Sequence, residues 1–207
     1  MASTFPGAID SFTDPLSGSA LNSPSHSAQH ADLNDAVEKV ETYMGLVKIS
    51  KTTFTAVSTI QFTSAFSSLY TNYQAILSYT ASSATATYIR WLVGSTVQTG
   101  NILSQEIRTQ LSTGLVTASQ RSDQYGTFLV GYPTYPNAGI VNFFSPQVAT
   151  YSSYTGGPAV NGVSSTDSVL QTVGGRNIAT TQIDGFEITT ASGITLTGTM
   201  TLYGYRI

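Results

Sequence analysis

The chain carries few side chains that could do covalent chemistry. His26 and His30 are its only histidines, and it has no cysteine. A nucleophilic triad needs an imidazole as base, and both imidazoles fall near the amino end. Thiolate metal sites and disulfides are excluded outright. Cleavage of a glycosidic bond needs two carboxylates at a set separation. Beyond residue 48 the acids are Glu106, Asp123, Asp167, Asp184 and Glu187, mostly far apart in sequence. Asp184 and Glu187 are three apart, which on a strand turns them to opposite faces. There is no GxSxG elbow, phosphate loop or dinucleotide fingerprint. Gly156-Gly157-Pro158 and Gly174-Gly175-Arg176 read as turns. No catalytic residue and no cofactor is implied.

Two groups remain as candidate sites. His26 and His30 are four apart, so they share one helical face. In a parallel trimer they would meet at the axis, where imidazoles can bind a transition metal or titrate near pH ~6.5. The plainer alternative is that they cap the helix or fill its seam. The second group is aromatic: Tyr132, Tyr135, Tyr151 and Tyr154, with Tyr132-Pro133-Thr134-Tyr135-Pro136-Asn137 reading as an exposed loop. Tyrosine offers contact area and a hydroxyl at low entropy cost, which suits a sugar or a protein partner. The alternative is that these rings line a core or an interface. Trp91 lies in a strong strand pattern and reads as core.

The elements that hold these residues differ along the chain. Residues 1–24 contain Pro6, Gly7, Pro15, Gly18 and Pro24, too much punctuation for a regular element. Phe5, Ile9, Phe12, Leu16 and Leu21 are spread along this stretch, so it reads as an extended anchoring arm. Residues 25–48 carry a helical pattern capped by Ser25 or Ser27. Leu33, Val37, Val40, Met44 and Val47 are spaced 4, 3, 4, 3, a heptad seam that predicts a short coiled-coil stalk. From residue 49 the period changes to two. Candidate strands cover 53–57, 61–66, 73–79, 87–93, 183–188 and 194–204, with Ala191-Ser192-Gly193 as a hairpin turn into the last. In 73–79, Tyr73, Ala75, Leu77 and Tyr79 alternate against Gln74, Ile76 and Ser78. Residues 104–122 are ambiguous between helix and strand. The expected fold is mainly β: an antiparallel, jelly-roll-like β-sandwich head over residues 49–207.

Bulk composition narrows the function. The 207 residues are 41% hydrophobic, enough for a core, but only 9% charged, against about 25% in an ordinary soluble domain. Net charge is −3 with the cations scattered, so nucleic acid is not an expected partner. No signal peptide is legible, and no apolar run reaches the ~18 residues of a membrane helix. The surface is instead neutral, hydroxyl-rich and aromatic.

One stretch points to a family. Phe12 and the run from Leu21 through SPSHSAQHADLNDAVE to Glu38 resemble a segment near the amino termini of tailed-phage tail-fibre and minor tail proteins. Phe62–Arg90, with Phe66, Tyr70, Tyr73 and YIRW, and the ending TLTGTMTLYGYRI resemble the β heads of phage fibre-type virion proteins. The resemblance implies a virion-borne homotrimer. Residues 1–48 would attach to other virion proteins, and the head would face a host-surface glycan or protein. A capsid decoration protein without a receptor, and a carbohydrate-binding module or glycan hydrolase, are the alternatives.

Overall fold

A side-chain period of two puts every second residue on one face of a strand, and this pattern dominates the chain. The computed structural model describes residues 25–205 apart from 44, 84, 101, 111–112, 124–125, 132–135, 160, 163–167 and 191–192. It contains one helix, α1 (His26–Tyr43), followed by strands β1 (Leu46–Val57), β2 (Thr59–Phe62), β3 (Asn72–Ala81), β4 (Thr85–Val93), β5 (Thr96–Val97), β6 (Ile102–Gln110), β7 (Leu115–Asp123), β8 (Gly126–Gly131), β9 (Asn137–Phe144), β10 (Ser152–Ala159), β11 (Asn161–Gly162), β12 (Ser168–Asn177), β13 (Gly185–Thr190) and β14 (Leu196–Tyr205).

The helix opens where a cap residue was expected. The Ser25 carbonyl accepts from Gln29 N–H at 3.1 Å, and Ser25 Oγ accepts from Ala28 N–H at 3.2 Å. It stops at Tyr43, and Gly45 then takes a left-handed φ of 57°. That conformation is open to glycine at no steric cost and ends a helix. Val47, expected on the helical seam, therefore lies in β1 instead. The chain divides into compact units between Leu46 and Val47. Among the described residues no helix is long and apolar enough to cross a membrane.

The strands form two sheets, in the orders β1-β14-β3-β9-β10-β12-β6-β7 with β11 beside β12, and β2-β13-β4-β5 with β8 beside β4. The pairs running from β14 to β7 are antiparallel throughout. The chain passes repeatedly from one sheet to the other. The result is a mainly β, sandwich-like domain. Among the described residues the two sheets have nine and five strands.

Large apolar side chains of both sheets meet between them. Tyr73, Leu77, Phe143, Tyr154 and Met200 from the larger sheet join Ile89, Trp91, Phe186 and Ile188 from the smaller one, all at 2% exposure or less. Phe66, from the connection after β2, enters this cluster. Its ring lies 4.6 Å from Tyr73, 5.2 Å from Phe143 and 5.6 Å from Phe186, centroid to centroid. Its N–H donates to the Asp184 carbonyl at 2.9 Å, which holds the loop against the strand entering β13. Trp91 is a core residue, as expected.

Three local expectations are corrected by pairing. Residues 104–122, open between helix and strand, form the β6–β7 antiparallel pair, with Gly114 at φ 68° between them. β13 and β14 lie in different sheets, so they do not form the hairpin that was expected; Ala191 and Ser192 of the expected turn lie outside the described residues. The two Gly-Gly pairs are not turns: Gly156-Gly157 sits inside β10 and Gly174-Gly175 inside β12.

The Phe66 cluster sets a test. Phe66→Ala should lower the unfolding free energy by about 3–5 kcal/mol, the cost of an unfilled aromatic site. An unchanged denaturant midpoint would mean the ring does not hold the sheets together.

Candidate functional site

Three acids of the head, Glu187, Glu106 and Asp184, are occupied by structure. Glu187 is 1% exposed and sits between Arg90 and Gln61, its neighbours on the flanking strands. Arg90 donates to Glu187 Oε1 through both Nε and Nη2, and Gln61 Nε2 donates to Oε2 at 2.7 Å. Glu106 is likewise enclosed. Its Oε1 accepts from Ser119 Oγ at 2.7 Å, and its Oε2 from Gln171 Nε2 at 2.7 Å and Arg108 Nη2 at 3.3 Å. The Asp184 carboxylate accepts from Gly94 N–H at 2.8–2.9 Å and pins a left-handed turn. Asp123 ends β7, and Asp167 lies outside the described residues. These carboxylates tie strands together in a head that has no disulfide to do so.

The expected site residues are dispersed. His26 and His30 lie in the first two turns of α1, and His30 is exposed. Among the described residues no group of three or more potential metal ligands occurs. Leu33, Val37 and Val40 are 55%, 47% and 38% exposed. Met44, Tyr132, Tyr135 and the arm residues Phe5, Ile9, Phe12, Leu16 and Leu21 lie outside the described residues.

The two remaining tyrosines part ways. Tyr154, expected to contact a ligand, is a core residue at 1% exposure. Its ring lies flat on Gly175, where any Cβ would collide with it. Alternation explains the difference, since Tyr154 points inward with Phe143 and Gly175, its cross-strand partners. Tyr151 precedes β10 and is 59% exposed. The Arg176 guanidinium lies 5.7 Å from its ring centroid, a cation–π distance.

The outward face of the larger sheet is the most developed surface. Strand register sets Tyr203, Gln74, Asn142, Thr155, Gly174, Gln105 and Gln120 in one continuous row across seven strands. Gln74 Nε2 donates to Asn142 Oδ1 at 3.0 Å and to the Tyr205 hydroxyl at 3.2 Å. One flanking row holds Thr201, Ile76, Ile140, Gly157, Thr172 and Ile107, and the other Tyr205, Asn72, Phe144, Ser153, Arg176 and Leu103. Of these positions Arg176 alone is charged. Around Gly174 the face sinks into a furrow of about 660 Å³. This face combines neutral donors and acceptors, exposed apolar groups and a recess.

Comparison with protein-family models, with curated proteins and with solved structures finds no match to this chain. The functional reading therefore rests on the residues themselves. Sequence reasoning missed this row. Its signal was present, as Gln or Asn at outward positions in β3, β6, β7 and β9, but only register makes them neighbours.

Two predictions follow from the buried groups. Glu187→Ala should cost about 3 kcal/mol by stranding the Arg90 charge, and Arg90→Met with Glu187→Leu should cost less than the two single changes summed. A double-mutant cycle by denaturant unfolding measures this, and additive costs would mean the pair is not coupled. Burial raises the phenol pKa of Tyr79 and Tyr154 above the ordinary value. Unfolded tyrosine titrates near pH ~10, so their contribution is present below that and lost as pH rises toward the folded values. Stability should fall above pH ~10 by roughly 1.4 kcal/mol per pH unit for each, and Tyr79→Phe with Tyr154→Phe should flatten that slope. An unchanged slope in the double variant would place both phenols in water.

Proposed function

We propose that this chain is a virion structural protein of the phage-fibre type. It works as a homotrimer, attached to the particle through residues 1–48 and presenting its β head for host-surface binding. The observation that carries the reading is the exposed seam of α1. Leu33, Val37 and Val40, spaced four and three, stand at 55%, 47% and 38% exposure. A helix of 18 residues is marginal in water without packing. Heptad spacing matches the period of helices that wrap around copies of themselves. A second copy of the same helix is thus the natural cover for this stripe. The acidic and basic residues Asp35, Glu38 and Lys39 fall off the seam, where a coiled coil keeps its solvated positions.

The head supports the same reading. A β domain with buried acids and a neutral, amide-rich outer face is suited to holding a partner rather than to acid–base turnover. Its strand topology, interleaved between two sheets, makes a rigid platform for such a face. A virion location fits a surface that is hydroxyl-rich and low in charge.

Light scattering on the purified full chain should give a mass three times that of the single chain. Val37→Asp with Val40→Asp should yield monomer, because each buried carboxylate would lack a partner. A monomeric wild type, or an unchanged mass in the variant, would remove the helix as the assembly element. The free protein should also slow adsorption of its particles to host cells. No competition at saturating protein would favour a decoration role.

A further inference from the structure

We propose that the furrow at Gly174 is a saccharide-binding site, an inference that rests on reading the head as a host-surface binding domain. The glycine pair in β12 carries the argument. Gly175 faces inward and is required there, because a Cβ would collide with the Tyr154 ring. Gly174 faces outward under no such demand. A Cβ at that position would meet only the Tyr154 carbonyl oxygen at 3.7 Å and Thr155 Cγ2 at 4.0 Å, ordinary contacts. Its φ is not in the left-handed range either, unlike that of Gly94 or Gly114. Neither packing nor backbone conformation calls for glycine at 174, and glycine weakens a strand interior. What the missing side chain provides is the floor of the recess.

The walls define the occupant. Gln105 and Gln120 stand on one side of Gly174 and Thr155 on the other, with Thr172 along the strand. Amides and hydroxyls both donate and accept, which matches the paired donor and acceptor character of sugar hydroxyls. Leu103 and Ile107 add apolar contact for the C–H faces of a pyranose. Arg176 closes one end, with the exposed Tyr151 ring beside it. The charge balance excludes nucleic acid. Nucleic acid needs several cations along its backbone, and this furrow has one. Its volume of about 660 Å³ lies within the ~300–1,000 Å³ of small-molecule sites. A sugar unit of a surface polysaccharide fits the size and the largely uncharged lining.

The test uses the full chain against immobilised oligosaccharides carrying neutral hexoses, N-acetylated amino sugars and uronic acids. Wild type should bind at least one class. Gly174→Val should fold with an unchanged or higher melting temperature and bind at least about tenfold more weakly. Gln105→Ala with Gln120→Ala should weaken binding by a similar factor and stands in if Gly174→Val does not fold. Thr199→Val, on the same face but at β14, should bind as wild type does. Equal binding by wild type and the furrow variants would overturn the proposal, as would no binding of any class at millimolar sugar. In either case, protein that still competes for adsorption to cells leaves the host-binding reading standing. Loss of competition as well would sink both.

Discussion

Everything in the head depends on one aromatic contact region between its two sheets. Phe66, Trp91, Phe143 and Phe186 come from a loop and three strands, and their rings touch within 4.6 to 6.4 Å. Aromatic side chains bury more surface per residue than any others. That matters in a chain with no cysteine. Phe66 is the key member because it does not sit on a strand. The loop after β2 must fold back for the ring to reach the cluster, and the Phe66 N–H bond to the Asp184 carbonyl holds it there. The same loop is tied by Tyr73, whose hydroxyl and Ser67 backbone are 2.6 Å apart.

This arrangement constrains the surface. Inward positions are taken by large apolar groups and by Glu106, bound to Ser119 and Gln171, while Glu187 on the other face of the smaller sheet is bound to Arg90 and Gln61. Few charges remain for the outside, and the outward face of the larger sheet is built from amides, hydroxyls and scattered apolar residues. A neutral face of this kind offers hydrogen-bond geometry and shape rather than long-range attraction. The Gly174-Gly175 pair shows both sides of the constraint within two residues. One glycine admits a core ring, and the other opens the surface.

How much was legible beforehand varies with the range of the interaction involved. The alternations in 87–93 and 194–204 placed Trp91, Met200 and Leu202 in the core, where they are found, and that in 73–79 grouped Tyr73 with Leu77 on one face, which is the buried one. Tyr154 escaped because its place in a strand was hidden by the glycines that follow. Two adjacent glycines read as a turn when only local propensity is considered. Inside a sheet they are spaces that neighbouring side chains fill or leave open. The candidate binding row was invisible for a related reason, since its members are drawn from strands spread between residues 74 and 203.

What the sequence by itself determined is therefore local: a β-rich composition, the inward residues of the clearest strands, the Ser25 cap, and the heptad spacing of Leu33, Val37 and Val40. Each follows from periodicity or short-range hydrogen bonding. The tertiary structure decided which strands pair, that β13 and β14 belong to different sheets, and that residues 104–122 are a strand pair. It also turned Tyr154 inward, moved Val47 from helix to strand, and aligned the polar row over the furrow. Those outcomes depend on register between segments distant in the chain. A one-residue slip would turn every side chain of a strand to the other face, and only the packing of the whole domain selects between the two.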